Sequence, residues 1–230
     1  MKNLVIAIDG PAGSGKSTVA KALAEKLGFM YVDTGAMYRA LTFNAIRKNI
    51  PLTDVDRLVD MSKNAVMSFR IVKGKNRIFL NGEDVSDFIR TEEISKLTHH
   101  IASILTIREI LWRLQRELRK DHNIVMEGRD IGSKVFPDAQ IKIFLDASIK
   151  ERAIRRYKQL KEMGIEGDIN CIETDIRQRD KNDEERDIAP LVKLPDSHIV
   201  DTTGMEATQV ADKIVSMIQK MSIIPMPRAV

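Results

Sequence analysis

Apolar residues fall along this chain in two rhythms. Compact apolar runs of strand length occur at residues 4–8, 29–32, 124–126, 140–145 and 198–200. Stretches with apolar residues at helical spacing alternate with them. One fills 19–27 and stops at Gly28, a second follows Asp33 as far as Lys48, and others cover about 91–103, 148–163 and 206–221. Strand and helix in alternation predict an α/β fold.

One stretch breaks the alternation. Pro51 ends the helix before it, and 54 to about 66 is predicted as another. Residues 68–72 and 77–80 then flank Lys73, Gly74, Lys75 and Asn76 as a hairpin, and Asn81-Gly82 is a second turn signal. Residues 48 to about 90 therefore form an inserted, partly antiparallel subdomain. The helix beginning at Thr106 has a capping-box pattern with Glu109. It places Ile107, Ile110, Leu111, Leu114 and Leu118 on one face. Arg113, Arg116 and Arg119 lie off that face and are expected in solvent, with Arg108 open to either environment. Ser148 and Glu151 form a second capping-box pattern. No internal repeat is visible, and the tail at 222–230 has no evident role.

The connection after the first strand carries chemistry. Gly10, Pro11, Ala12, Gly13, Ser14, Gly15, Lys16, Ser17 and Thr18 contain a full G-x-x-x-x-G-K-[ST] pattern between a strand and a helix. Glycines there let backbone N–H groups turn toward an anion, and the helix N-terminus adds partial positive charge. Lys16 can reach the outer phosphates of a nucleotide, and the Ser17 hydroxyl can ligand Mg²⁺. Such a loop serves small-molecule kinases, GTP switches and motor ATPases alike.

Composition narrows the choice. The chain has 230 residues, 37 Lys and Arg against 33 Asp and Glu, and a net charge of +4. That length suits one α/β domain with insertions or two small domains. Aromatics are 5% of residues and no basic stripe stands out, which argues against nucleic acid as a partner. Cys171 is the only cysteine, so no intrachain disulfide or cysteine-based metal site is available, as suits a reducing cytoplasm. No segment is long enough to span a membrane, and the first apolar run is too short for a secretory signal.

Three further stretches follow strands or a helix with polar residues. Asp33 to Arg39 follows the second strand, so Thr34, Tyr38 and Arg39 belong near a ligand by the strand-end rule, or lie on a helix surface. An Arg129-Asp130 pair stands between Gly128 and Gly132 after the third strand, a poor choice for packing and a good one for a polar ligand. The run 176–187 is almost wholly charged. It is either a solvated helix end and loop or a mobile cover that brings arginines onto phosphates.

Together these stretches resemble the bacterial type of cytidylate (CMP) kinase. The resemblance is carried by Gly10 to Thr18, Asp33 to Arg39, Gly128 to Gly132, Val135 to Ala139, and Arg179-Asp180 with Asp183, Arg186 and Ala189-Pro190-Leu191. It implies a P-loop three-layer fold with a five-stranded parallel sheet, an NMP-binding subdomain carrying a small antiparallel insert, and a lid. The implied boundaries are a core at about 1–35, 91–163 and 192–221, the NMP-binding part at 36–90, the lid at 164–191 and the tail at 222–230. The implied reaction moves a phosphoryl group from MgATP to CMP or dCMP. By the same resemblance Lys16, Arg129, Arg179 and Arg186 are catalytic, and Arg39 and Arg129 clamp the CMP phosphate. Asp183 contacts the ribose, and Arg108 and Asp130 read cytosine. Thr34, Tyr38, His99 and Arg186 complete the CMP set. His99 falls where the family commonly has a small hydroxyl residue, with His100 and Ser103 beside it. A monomeric cytoplasmic enzyme with ATP and CMP or dCMP as its partners is expected.

Two other readings remain. One is a phosphate-loop kinase for UMP or a non-nucleotide acid, opposed by the residues around Arg108, Asp130 and Asp183. The other is a GTP switch, since Asp201 to Gly204 has the form D-x-x-G. No N-K-x-D guanine signature occurs, and this D-x-x-G falls on the last strand.

Overall fold

A computed structural model describes residues 3–162 and 164–221. The tail 222–230 lies outside the described residues. The main sheet has five strands, β1 (Val5–Asp9), β2 (Met30–Asp33), β6 (Ile124–Gly128), β7 (Ile141–Asp146) and β8 (His198–Asp201), in the order β2-β6-β1-β7-β8. It is a parallel sheet with flanking helices. Every residue of β1 and β6 is buried, which is why those runs are continuously apolar rather than alternating. Ile6 and Ile8, Val125, Ile143 and Leu145 pack with Val19, Leu23 and Leu27 of α1 (Lys16–Leu27) and with Val210, Ile214 and Ile218 of α8 (Ala207–Lys220). The chain reverses beyond α1 through Gly28, at φ 66°.

The described residues divide into two compact units, those up to Tyr31 with those from Arg119 onward, and Val32–Leu118. The second unit holds α2 (Thr34–Arg47), α3 (Val55–Lys63), α4 (Glu92–Ala102), α5 (Leu105–Glu117) and an antiparallel sheet of β3 (Met67–Val72), β4 (Lys75–Leu80) and β5 (Glu83–Asp84). Its core gathers Met37, Leu41, Leu58, Leu80, Ile89, Ile101, Ile107 and Leu111. The first hairpin is tighter than its sequence suggests. Lys75 and Asn76 belong to β4, and only Lys73 (φ 50°) and Gly74 (φ 72°) turn the chain. Asn81 (φ 51°) and Gly82 (φ 84°) repeat the device. Positive φ at both central residues matches the strand twist.

Three local expectations need correction. Thr106 does not cap α5, which already begins at Leu105 after the short link from α4, with Ile104 as an N-cap that offers no side-chain bond. Ser148 Oγ does accept from Glu151 N at 3.2 Å, at the start of α6 (Ile149–Glu162). Its box is half made, because Ser148 N donates to Thr203 Oγ1 and Glu151 instead pairs with Arg155. Arg119 is not simply solvated: it donates to Asn3 O and pairs with Asp138 at 2.9 Å. Arg113 and Arg116 are exposed, as expected.

Candidate active site

The phosphate loop links β1 to α1. A Cβ on Gly10 would lie 2.1 Å from Leu145 O, and Gly10 adopts φ 152°, so a side chain is excluded there. Gly15, at φ 88°, is the N-cap of α1 and offers no side-chain bond, so no cap covers the first-turn N–H groups. The loop is braced from outside. Thr202 Oγ1 lies 3.1 Å from Ser14 O, and Arg152 Nη1 donates to Ala12 O at 3.0 Å. Lys16 is buried and curls over its own loop, donating to Pro11 O at 2.6 Å. Burial first, then the nearby Arg129, brings its pKa down to about 7. Ser17 and Thr18 are exposed in the first turn of α1.

The strand neighbouring β1 ends in Glu127 and Gly128. Glu127 is buried and accepts from Tyr31 Oη at 2.8 Å. The chain then enters a π-helical turn, Ile131–Val135, whose first two N–H groups are both taken by Asp9. Ile131 N donates to Oδ1 at 2.9 Å and Gly132 N to Oδ2 at 2.8 Å. Burial raises the Asp9 pKa to about 6 against the lowering effect of those two N–H bonds. Asp9 thus ties the Arg129-Asp130 segment to the strand that feeds the phosphate loop.

Arg129 pairs with Asp183 at 2.8 Å. Burial would raise the Asp183 pKa, but the Arg129 guanidinium holds it below the ordinary carboxylate value. Asp183 lies on α7 (Ile169–Glu185), a regular 17-residue helix capped by Asp168. Ile172 and Ile176 pack on Ala153 and Leu160 of α6. One turn before Asp183, the buried Asp180 meets Arg152 at 2.7 Å. Arg186 is the C-cap of α7, lies 3.5 Å from Asp183 and donates from Nε to Ala189 O at 2.7 Å, where Ala189 holds φ 50°. Arg179 is exposed on the same helix.

The second unit presents its own set. Asp33 ends β2 and N-caps α2 through Ala36 N, while its other oxygen pairs with Arg39 at 2.9 Å. Burial opposes the charge on Asp33, but Arg39, the Ala36 N–H and Arg90 together outweigh it, and its pKa falls below the usual value. Thr34 and Tyr38 are buried on α2. Arg108 is buried, donates from Nε to Ala102 O at 2.6 Å and lies over the Tyr38 ring at 5.4 Å. His99 is exposed on α4, with Nδ1 2.7 Å from Lys96 O.

The family model for cytidylate kinase matches residues 6–220. The chain belongs to the cytidylate kinase family. The cytidylate kinase of Alkaliphilus oremlandii (strain OhILAs) is 45% identical over 219 residues, covering 95% of this chain and 99% of the relative. That of Bacillus subtilis (strain 168) is 43% identical over 221 residues, covering 96% and 99%. A crystal structure of an uncharacterized protein from Eubacterium ventriosum ATCC 27560 matches with a TM-score of 0.54 at 15% identity, over 95% of this chain and 99% of the other. That is a likeness of fold.

Within this cytidylate kinase family member, Lys16, Arg129, Asp183 and Arg186, all singled out from sequence, come together in the first unit, which also holds the loop from Gly10 and Asp130. Thr34, Tyr38, Arg39 and Arg108 belong to the second. Arg108, left open between solvent and ligand, is 1% exposed. Sequence reasoning missed Asp9, Arg152 and Thr202. Asp9 read only as the end of an apolar run. Arg152 and Thr202 act through carbonyls more than 100 residues distant, which leaves no local signature.

Proposed function

We propose that this chain transfers the γ-phosphoryl group of ATP to CMP or dCMP, giving ADP and CDP or dCDP. The match to the cytidylate kinase family over nearly the whole chain carries this reading. Attack by an oxygen of the CMP phosphate forms the new P–O bond as the bond from the γ-phosphorus to the β-bridging oxygen breaks. The acceptor is already an anion, so no general base is required, and catalysis is positioning and charge neutralisation. The loop amides from Gly10 to Thr18 and the Lys16 ammonium hold the donor phosphates. Arg39 and Arg129 clamp the acceptor phosphate as guanidinium forks. Each then exchanges its present carboxylate partner for phosphate. Arg179 and Arg186 stabilise charge on the group in flight. Asp183 contacts the ribose, Thr34, Tyr38 and His99 line the nucleoside, and Arg108 and Asp130 read the base.

The exposed Ser17 hydroxyl, beside the uncapped N–H groups of α1, is a hard oxygen donor that suits Mg²⁺ carried in with the phosphates. When bound, that ion neutralises phosphate charge. We further propose that residues 164–191 act as a lid, and that the enzyme is a monomer of the cytoplasm. Among the described residues no helix is long and apolar enough to cross a membrane. A coupled ADP-release assay with CMP, dCMP, UMP and AMP as acceptors, and ATP or GTP as donor, tests the reaction. Rapid turnover with ATP and CMP is expected. Equal turnover with UMP, or turnover only with GTP, would overturn it.

A further inference from the structure

We propose that Arg152 is a positioning residue for the phosphoryl transfer, fixing the helix that bears Arg179, Asp183 and Arg186 to the phosphate loop. The proposal rests on the reaction assigned above. Arg152 lies in the first turn of α6 and its side chain is 4% exposed. All three of its guanidinium nitrogens are engaged. Nε donates to Ala147 O at 3.0 Å, Nη1 donates to Ala12 O at 3.0 Å, and Nη2 meets Asp180 Oδ2 at 2.7 Å. The first contact anchors the side chain at the start of its own helix. The other two reach the phosphate loop and α7. A guanidinium is a rigid planar fork, so those two partners are held at one spacing. Close approach depends on Gly13, where a Cβ would lie 3.2 Å from Arg152 Cβ.

The far end of this link bears on the reacting groups. Asp180 is buried, and its Oδ1 has no hydrogen-bond partner, so its polar contact is the ion pair from Oδ2 to Arg152. Asp183 follows by three residues and therefore shares the helix face, where it meets Arg129. Arg179 is the immediate neighbour of Asp180. Cohesion alone does not need this ion pair, because Ile172 and Ile176 already join α7 to α6 through an apolar cluster. A buried ion pair adds little stability over apolar packing. What it adds here is a connection into the backbone of the loop.

Two conservative variants test the link. Asp180→Asn keeps the shape of the side chain and touches nothing in the loop. Arg152→Lys keeps the charge, but an ammonium cannot reproduce the two-way fork. Each is expected to lower kcat about tenfold while the KM for CMP stays within about threefold. The double variant should lose no more than the worse single one, since both break one link. With kcat referred to the folded fraction, measured separately, a role in stability alone would not produce that split. In the free protein, Asp180→Asn should also speed hydrogen exchange of the amides at residues 10–18. Unchanged exchange there, an unchanged kcat in Asp180→Asn, or losses that multiply in the double variant would each overturn the proposal. If Arg152→Lys fails to fold, Asp180→Asn decides alone. If the unmodified chain does not phosphorylate CMP, the assigned reaction falls in that control, and exchange in the loop of Asp180→Asn then upholds or overturns the link.

Discussion

Each arginine proposed to clamp the acceptor phosphate already holds a carboxylate: Arg39 has Asp33 and Arg129 has Asp183. The protein keeps those cations charged, oriented and compensated while they are partly withdrawn from water. Lys16 differs. It bonds a carbonyl of its own loop, and burial brings its pKa to about 7. An incoming polyphosphate adds negative charge to that of Glu127, Asp183 and Asp9 and favours the ammonium form. Replacing Lys16 with Ala should therefore cut turnover by about 100-fold or more, as loss of a transition-state charge contact does. CMP affinity, measured by calorimetry, should stay close to that of the parent, and near-parental turnover would remove Lys16 from the mechanism. Asp9 allows a pH test whose sign is fixed. Its folded pKa, about 6, lies above the ordinary value of 3.8. The folded state thus holds that proton more tightly, and the parent loses stability as pH rises from about 4 to about 6. Asp9→Asn does not titrate there and leaves one backbone N–H without an acceptor, at a cost of about 1–3 kcal/mol. Its deficit in urea unfolding should be largest near pH 4 and smaller at pH 7. A deficit that grows with pH would contradict the assignment.

Among the elements, α7 departs most from its sequence. A run as charged as 176–187 offers no apolar stripe, so a solvated helix end and loop is hard to tell from a mobile cover. The structure makes it the second half of a single helix, whose first half is secured by Ile172 and Ile176. Two acids of the charged half pair with arginines outside the helix: Asp180 with Arg152, and Asp183 with Arg129. Hydrophobic periodicity could not report this, because the partners lie 28 and 54 residues away. Elements with local causes were legible: the phosphate loop from its glycines, the hairpins from Lys73-Gly74 and Asn81-Gly82, the helix end at Gly28. The start of α5 was misjudged because Thr106 and Glu109 fit a cap that the short link from α4 pre-empts. For the lid, the charged half of α7 and the turn after it, residues 181–187, should exchange amide hydrogens faster than the anchored half. Adding CMP with a non-hydrolysable ATP analogue should slow them, and exchange already slow without ligand would make the segment static. Arg186→Ala should lower kcat more than it raises the KM for CMP, since an arginine that engages on closure acts chiefly in the transition state. The reverse pattern would make it a ground-state binder.

Base selectivity draws on distant stretches of the chain, because the residues proposed to read cytosine, Arg108 and Asp130, belong to different motifs. The family was legible from motifs at strand ends. The burial of Arg108 was not, since α5 presents several arginines with the same local pattern and only the core around Ile107 and Leu111 singles this one out. Its environment now supports a role in recognition: a fully buried guanidinium whose Nε is fixed by Ala102 O and whose plane lies over Tyr38. Asp130 is buried as well, in the segment that Asp9 holds through the next two N–H groups. Cytosine offers a donor at its C4 amine and acceptors at N3 and O2, and uracil reverses the first two. An ionised carboxylate only accepts and a guanidinium only donates, so Asp130 suits the amine and Arg108 the ring acceptors. With uracil each would face a group of its own kind, and each buried mismatch costs about 1–3 kcal/mol. Sites built on such bonds discriminate by several powers of ten. CMP should therefore be strongly preferred over UMP, with dCMP accepted if Asp183 is the main ribose contact. Asp130→Ala should lose CMP turnover and narrow the CMP-to-UMP ratio of kcat/KM together. If turnover falls while the ratio holds, Asp130 is orienting Arg129 rather than reading the base, and selectivity rests with Arg108 and its neighbours on α2.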